Sequence, residues 1–362
     1  MSLLYDESQQ AIATESRRVL EAKVASETLL PLLEKKGEFH ATYWDTAREQ
    51  GWTALALPEA YGGIGLGLVD LGLLAHQIGR SLAGAPFLTG SFGAARAILD
   101  HGDEALKQAW LPKLASGEAI GAVGFAEGQT VLGTTLKLEG GALTGTKPSV
   151  VGALKADVAV VLANEGGEAV LAVAALDGVE RHLVDSFDNS RCYADLVFAG
   201  TTATVIARGQ AAMDAALNNL ALQSVVTAHE QTGGAEALME RARDYACTRK
   251  AFGQPIGAFQ AVKHRIAEMY GLVELARASA IHAAGMEGTP QFLTAAAAAR
   301  IQGTETYDTA SRDCIQLHGG IGATWEAGIH LHMRRARSLA IEQGNLYFWE
   351  DVLTAQLAGE GK

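Results

Sequence analysis

Residues 314–345 read CIQLHGGIGATWEAGIHLHMRRARSLAIEQGN, and this stretch weighs most in the assignment of the fold. Its first part ends a helical pattern with two consecutive glycines, Gly319 and Gly320. Because glycines lack side chains, their backbone amides can approach a phosphate or an adenine closely. A helix C-cap also uses glycine, which explains one glycine more easily than two. The stretch therefore indicates either a nucleotide contact or an ordinary helix end.

A second unusual stretch, residues 244–270, reads DYACTRKAFGQPIGAFQAVKHRIAEMY. A helix is predicted to end near Arg249 and Lys250, a Gly-Pro turn follows, and a second helix begins around Ala258 with Gln260 in its first turn. The planar guanidinium of Arg249 suits a pyrophosphate. Cations at a helix C-terminus also offset the helix dipole. Both interpretations of Arg249 stay open on spacing alone.

Three zones of different texture surround these stretches. Alanine, leucine and charged residues recur at helical spacing from Ser8 to about Gly117. Short segments of alternating apolar and small or polar residues, separated by Gly or Asp turns, fill residues 119–206. Long alanine-rich helical patterns return from about Arg208. The order of helices, strands and helices predicts a separate β domain between two helical ones.

Composition narrows the class of protein. The chain has 362 residues, 48% hydrophobic and 19% charged, which favours two or three folded units over disorder. A net charge of -12 without a basic stripe argues against nucleic acid as a partner. Three scattered cysteines show no metal-ligand spacing and predict free thiols in a reducing cytoplasm. The charged N-terminus predicts no signal peptide, and we expect neither a membrane span nor a bound metal.

Together the two C-terminal stretches resemble the acyl-CoA dehydrogenase family. The resemblance extends over essentially the whole chain, through residues 51–67 (GWTALALPEAYGGIGLG), 74–88 (LAHQIGRSLAGAPFL), 101–118 (HGDEALKQAWLPKLASGE) and 144–163 (TGTKPSVVGALKADVAVVLA). It implies an α+β, mainly α fold with an N-terminal helical domain, a middle β-sandwich or barrel-like domain and a C-terminal four-helix bundle. The domain boundaries expected are 1–118, 119–206 and 207–362.

The resemblance also implies a cofactor, partners and site residues. Family members bind FAD between the subunits of a dimer or a dimer of dimers, act on acyl-CoA thioesters and pass electrons to an electron-transferring flavoprotein. On the matching positions here, the resemblance assigns the FAD pyrophosphate and adenine end to Arg249, Phe252 and Gln260. The same resemblance assigns the adenosine portion to Gln316, Leu317, His318, Gly319 and Gly320. It places Asn345 near the FAD contact that follows the catalytic position.

The family reaction removes the α-proton of the thioester with a glutamate, and here the chain departs from the pattern. The usual position, just before the glycine of the C-terminal stretch, is Gln343, and the second family position is Gln223. A carboxamide cannot accept this proton at neutral pH. Glu342 lies one residue from the first position, while Glu230 follows Gln223 by two helical turns, about 10 Å along the axis. Glu230 is either a relocated base or a satisfied carboxylate.

The middle zone departs too, because the family's Thr-Glu-Pro-Gly loop is replaced by GFAEGQTVLGTTL at residues 124–136. Ser149 and Val151 stand at the positions that pack against the flavin in the family. Two hypotheses follow. The chain is a FAD-dependent acyl-CoA dehydrogenase with a displaced base, Glu230, or it is similar to the non-catalytic subunits of heteromeric dehydrogenases that act on steroid side-chain thioesters. A di-iron helical bundle is discounted, since no histidine follows an acid at the required spacing.

Overall fold

The computed structural model describes residues 5–24, 29–83 and 86–359. The chain packs as two compact units. One unit comprises residues 1–30, 72–83 and 224–362, and the other comprises residues 31–71 and 84–223. We call them the helical unit and the sheet unit. The predicted three-domain boundaries remain a prediction.

The secondary structure runs from helices through strands and back to helices, and the predicted mainly α fold class is confirmed. The helices of the described residues are α1 (Glu7–Lys23), α2 (Leu29–Glu34), α3 (Ala41–Glu49), α4 (Leu68–Ser81), α5 (Pro86–His101), α6 (Glu104–Ala115), α7 (Gly209–Thr248), α8 (Gln260–Gly285), α9 (Phe292–His318), α10 (Ile329–Leu339) and α11 (Leu346–Ala358). Among them, none combines the length and apolarity needed to cross a membrane.

The strands form one seven-stranded sheet in the sheet unit and one short hairpin in the helical unit. The strands are β1 (Gly121–Gly124), β2 (Lys137–Glu139), β3 (Ala142–Val150), β4 (Val158–Glu165), β5 (Glu168–Ala175), β6 (Glu180–Leu183), β7 (Ala194–Arg208), β8 (Lys250–Ala251) and β9 (Gln254–Pro255). The sheet has the order β1-β4-β2-β3-β7-β5, and β5 also pairs with β4. This circuit closes the sheet in a barrel-like manner.

The core of the helical unit lies between α7, α8, α9 and α10, where small residues let helices approach closely. Its buried cluster includes Leu238, Met269, Val273 and Leu339. A Cβ added at Gly79 of α4 would lie 1.9 Å from the Glu230 carbonyl oxygen. The backbones of α4 and α7 are therefore in direct contact at this point. This contact fixes the part of α7 that carries Glu230.

Candidate functional site

The chain leaves α7 through a tight hairpin that presents Arg249 and Phe252. The Ile256 amide donates to the Arg249 carbonyl at 2.8 Å and closes the hairpin formed by β8 and β9. Phe252 has φ of 51° and is 95% exposed. Within the described residues, the exposed Arg249 guanidinium has neither a hydrogen-bond nor a salt-bridge partner. Its donor fork is therefore available to an anion.

The hairpin leads directly into α8, whose first residue is Gln260. Phe259 precedes it in an extended conformation and provides no side-chain cap. The Phe259 ring meets Phe252 edge-on, with centroids 6.3 Å apart. Because no side chain caps this 26-residue helix, its first-turn amides keep the positive partial charge of a helix N-terminus. Arg249, Phe252 and Gln260 thus belong to one exposed, anion-accepting segment.

The end of α9 lies beside the end of α7, because His318 stacks on Tyr245. The two ring centroids are 4.1 Å apart and the rings are inclined by 22°. His318 Nδ1 lies 2.8 Å from the Cys314 carbonyl oxygen, which can only accept, so Nδ1 carries the proton. Burial lowers the pKa of His318, which keeps the imidazole neutral at pH 7. This stack brings together the two sequence stretches that predicted a nucleotide site.

The glycine pair after His318 leaves open space above its backbone. Gly319 has φ of 60° and ψ of -140°, a backbone conformation that favours glycine. It is also the first residue of a short 3-10 helix, Gly319–Ala323. A Cβ added at Gly319 or Gly320 would meet no atom within 4 Å. Gln316 is exposed beside them, and Leu317 packs partly against the core. The residues present therefore fit a nucleotide group, with room for it at the glycine amides.

Gln343, at the first base position of the family, is fixed by hydrogen bonds to its side chain and to its backbone carbonyl. Its φ of 54° lies in the left-handed region. The Thr227 hydroxyl donates to Gln343 Oε1 at 3.1 Å, and Trp349 Nε1 donates to the Gln343 carbonyl at 3.1 Å. The turn that precedes α11 is therefore well defined, and the group that it presents is a carboxamide.

Gln223, at the second base position, is buried in the sheet unit with 2% exposure. Its Nε2 donates to Asn219 Oδ1 at 2.8 Å, and Asn219 Nδ2 donates to the Gly93 carbonyl at 2.8 Å. A Cβ added at Gly93 would lie 2.6 Å from the Gln223 carboxamide carbon, so the helix around Gly93 packs tightly on this side chain. Gln223 acts as one link in a buried hydrogen-bond chain.

Glu230 is paired with an arginine inside the helical unit. Arg335 Nη1 donates to Glu230 Oε1 at 2.9 Å, and the two side chains are 2% and 3% exposed, respectively. Arg335 Nη1 also lies 3.3 Å from the Ala83 carbonyl, to which it donates. The guanidinium and the carboxylate therefore form a buried ion pair, and removing the charge of either partner takes this ion pair away from the other.

Arg300 holds the chain between α10 and Gln343. It is 1% exposed, and its Nη2 donates to the carbonyls of Leu339 and Glu342, the latter at 2.7 Å. Its Nη1 donates to Gln231 Oε1 at 2.9 Å and to Thr304 Oγ1 at 2.8 Å.

Burial lowers the pKa of Arg300 to about 10, against the opposing field of Glu342 and Glu230. Glu230 and Glu342, the two carboxylates near the family's base positions, are therefore buried in one cluster with Arg300 and Arg335. Arg300, Arg335 and Thr227 were not identified from the sequence.

Asn345 starts the last helix. Its Oδ1 accepts a hydrogen bond from the Phe348 amide at 3.0 Å and caps α11. An N-cap of this kind stabilises a helix by about 1 kcal/mol. Asn345 thereby fixes the end of the turn that carries Gln343, two residues before it.

The loop before β2 in the sheet unit is closed by a buried ion pair. Lys147 is fully buried, and its Nζ lies 2.5 Å from Glu127 Oε1 and 2.8 Å from the Gly133 carbonyl. Glu127 also accepts the amide of Thr135 at 2.7 Å. Burial lowers the pKa of Lys147 to about 8, although Glu127 opposes the shift. Nearby, Ser149 has φ of 51°, and its amide donates to Asp195 Oδ1 at 2.7 Å.

Comparisons with known proteins agree with this architecture. Residues 6–118 match the family model "Acyl-CoA dehydrogenase, N-terminal domain", and residues 212–353 match "Acyl-CoA dehydrogenase, C-terminal domain". The chain is 32% identical over 307 residues to acyl-CoA dehydrogenase IpdE2 of Mycobacterium tuberculosis, covering 83% of this chain and 82% of IpdE2.

Two further proteins are similar over most of the chain. Acyl-CoA dehydrogenase FadE34 of Mycobacterium tuberculosis is 34% identical over 312 residues, or 84% of this chain, but the chain spans only 40% of the length of FadE34. A solved structure, the Tcur3481-Tcur3483 steroid ACAD G363A variant, is 25% identical with a TM-score of 0.88 and covers 98% of each chain.

Proposed function

Because this chain belongs to the acyl-CoA dehydrogenase family, we propose that it is an FAD-binding subunit of a heteromeric acyl-CoA dehydrogenase whose partner supplies the catalytic base. One observation carries the proposal. Both family base positions are amides, Gln343 and Gln223, and the carboxylates of Glu230 and Glu342 lie in the buried cluster with arginines.

The residues that would hold FAD lie at the joined ends of α7 and α9. Arg249 and the start of α8 at Gln260 would face the pyrophosphate, because within the described residues the Arg249 guanidinium has no partner and no side chain caps α8. The amides of Gly319 and Gly320, with Gln316 and His318 beside them, would line the adenosine portion. FAD, when bound, supplies the hydride acceptor of the dehydrogenation.

Phe252 is the feature that points to a neighbouring subunit. An aromatic side chain that is 95% exposed and held by an edge-on ring contact is typical of a residue that packs against another chain. Its place in the hairpin beside Arg249 supports a cofactor shared between two polypeptides. The similar solved structure of a steroid ACAD carries two names, Tcur3481 and Tcur3483, which supports a second polypeptide in the assembly.

Removal of the α-proton requires a group that accepts a proton at neutral pH. Gln343 cannot do so, and its Oε1 already accepts the Thr227 hydroxyl. Glu230 is 3% exposed and its Oε1 accepts a hydrogen bond from Arg335, so this carboxylate is engaged in an ion pair inside the helical unit. We therefore assign proton removal to the partner subunit.

The rival function is a homomeric acyl-CoA dehydrogenase in which Glu230 is the base. The substrate class is an acyl-CoA thioester in both cases. A bulky steroid side-chain thioester is supported by the likeness to a steroid dehydrogenase, and an electron-transferring flavoprotein is the acceptor implied by the family resemblance.

Expression of the chain alone and with candidate acyl-CoA dehydrogenase subunits tests the proposal. Flavin content is read from the visible spectrum, and turnover is read from acyl-CoA-dependent reduction of an artificial acceptor. We expect the chain alone to show no turnover, and the assembled complex to contain FAD and to turn over. Turnover by the homogeneous chain alone would favour the rival function, and folded complexes without flavin would refute both.

A further inference from the structure

The helical unit contains a cavity of about 470 Å³ that none of the proposed FAD contacts enters. It is lined by residues from the end of α1, the start of α2, the end of α4, the last third of α7 and the start of α10. Pockets of this size are typical of small-molecule sites. The lining divides into a polar end, an apolar wall and an acidic rim.

Arg241 forms the first part of the polar end. Its Nη2 donates to the Ala327 carbonyl, which fixes the guanidinium at the cavity wall. Among the described residues, no carboxylate lies within salt-bridge distance of it. Arg80 lines the same cavity but is neutralised, because its two Nη atoms each lie 2.5 Å from a carboxylate oxygen, one of Glu236 and one of Glu240. Arg241 is therefore a cation at the cavity without a counter-ion among these residues.

His332 forms the second part of the polar end, and it is 7% exposed. Its Nδ1 lies 2.8 Å from the Tyr307 hydroxyl, and its Nε2 has no hydrogen-bond partner among the described residues. Burial, with a smaller contribution from Arg241, lowers the pKa of His332 to about 3, so the ring is neutral at pH 7. In the tautomer that accepts the Tyr307 hydroxyl at Nδ1, the ring proton is on Nε2, from which it can be donated to a ligand.

The start of α10 forms the third part. Gly328, the N-cap residue, has φ of 65° and no side chain to cap the helix. Gly328 and Leu331 line the cavity, so the first-turn amides of this 11-residue helix lie at its wall. A guanidinium, an imidazole N–H and uncapped helix amides together provide the donor set that recognises a carboxylate.

The remaining residues that line the cavity indicate which class of anion it would bind. Val24, Leu30 and Leu82 provide an apolar wall, while Glu21 and Glu326 line the cavity with exposed side chains. Those two carboxylates oppose a multiply charged ligand such as a phosphate ester. A single carboxylate on an apolar body satisfies both the donor set and the wall.

We propose that this cavity binds an amphipathic monocarboxylate, with its carboxylate against Arg241 and His332 and its apolar chain against Leu30 and Leu82. This inference goes beyond the proposed dehydrogenase role and does not depend on FAD. It would make the helical unit responsive to free carboxylic acids, a class distinct from the thioester substrate.

Isothermal titration calorimetry of the full chain with octanoate tests the proposal, with octylamine as the charge-reversed probe. We expect saturable binding of octanoate and none of octylamine. Arg241→Met should weaken octanoate binding about tenfold or more, because a charge-assisted hydrogen bond is lost. Arg243→Met is the matched control, since Arg243 pairs with Asp244 and does not line the cavity, and it should bind octanoate normally.

A second variant keeps the test decisive should Arg241→Met fail to fold. Ala237→Phe fills the cavity without removing a charge, because Ala237 of α7 lines it. We expect this folded variant to lose octanoate binding. Absence of saturable octanoate binding by the unaltered chain, equal binding of octylamine, or unchanged affinity in Ala237→Phe would each overturn the proposal.

Discussion

Glu230→Gln is the change that separates an ion-pair role from a catalytic role. The side chain of Glu230 is 3% exposed, and its Oε1 lies 2.9 Å from Arg335 Nη1. The substitution keeps the shape of the side chain and removes the negative charge that lies against the Arg335 guanidinium. Breaking a buried ion pair by removing one partner destabilises a protein by about 3–5 kcal/mol. We expect a loss of that size in the free energy of unfolding.

Urea denaturation followed by circular dichroism measures this loss. Arg335→Met should destabilise the protein by a similar amount, because it removes the positive charge that lies against the Glu230 carboxylate. The double variant Glu230→Leu/Arg335→Met removes both charges and should recover most of the stability, since apolar replacements of a buried pair are often neutral. The reasoning is refuted if Glu230→Gln unfolds at the same urea concentration as the unaltered protein, or if the double variant shows the sum of the two losses.

Three further predictions concern the FAD contacts, pH and the sheet unit. Arg249→Gln should weaken FAD binding to the assembled complex about tenfold or more, measured by flavin fluorescence, whereas Lys250→Gln should leave it unchanged. Burial lowers the pKa values of His229 and His332 to about 3, so the unfolded chain takes up protons first as the pH falls below about 6.5. Stability should therefore drop by about 4 kcal/mol between pH 7 and pH 5, and a flat profile of urea midpoints would contradict this. Lys147→Met should destabilise the chain by about 3 kcal/mol in thermal or urea unfolding, because its carboxylate partner is left nearly buried and unpaired.

The order of helices and strands was predictable from the sequence because each class has its own periodicity. The alternating segments of residues 119–206 correspond to strands that run from Gly121 to Arg208. The predicted start of the helix near Ala258 was two residues early, since a 3-10 turn, Ile256–Ala258, precedes α8. Turn residues such as Gly253 and Pro255 correctly indicated a break between two helices. They did not indicate that the break contains the hairpin of β8 and β9.

The side-chain partners of the candidate site were not predictable in the same way. Glu230 and Arg335 are separated by 105 positions, and Arg300 reaches carbonyls 39 and 42 positions away. Such pairs depend on how helices cross, and no local spacing records them. The Tyr245–His318 stack is of the same kind, and it is the contact that joins the two motif segments. The loss of a carboxylate at Gln343 and Gln223 was predictable from the sequence, because the residue type at each position is sufficient to show it.

Turnover of the assembled complex that carries Glu230→Leu/Arg335→Met tests most directly whether this polypeptide contributes the base. The double change removes the carboxylate together with the cation that it pairs with, so we expect the complex to stay folded in the assay. With octanoyl-CoA or a steroid side-chain thioester and an artificial acceptor, the rate should equal that of the unaltered complex. A fall of about a hundredfold or more, the usual cost of losing a general base, would show that Glu230 removes the proton.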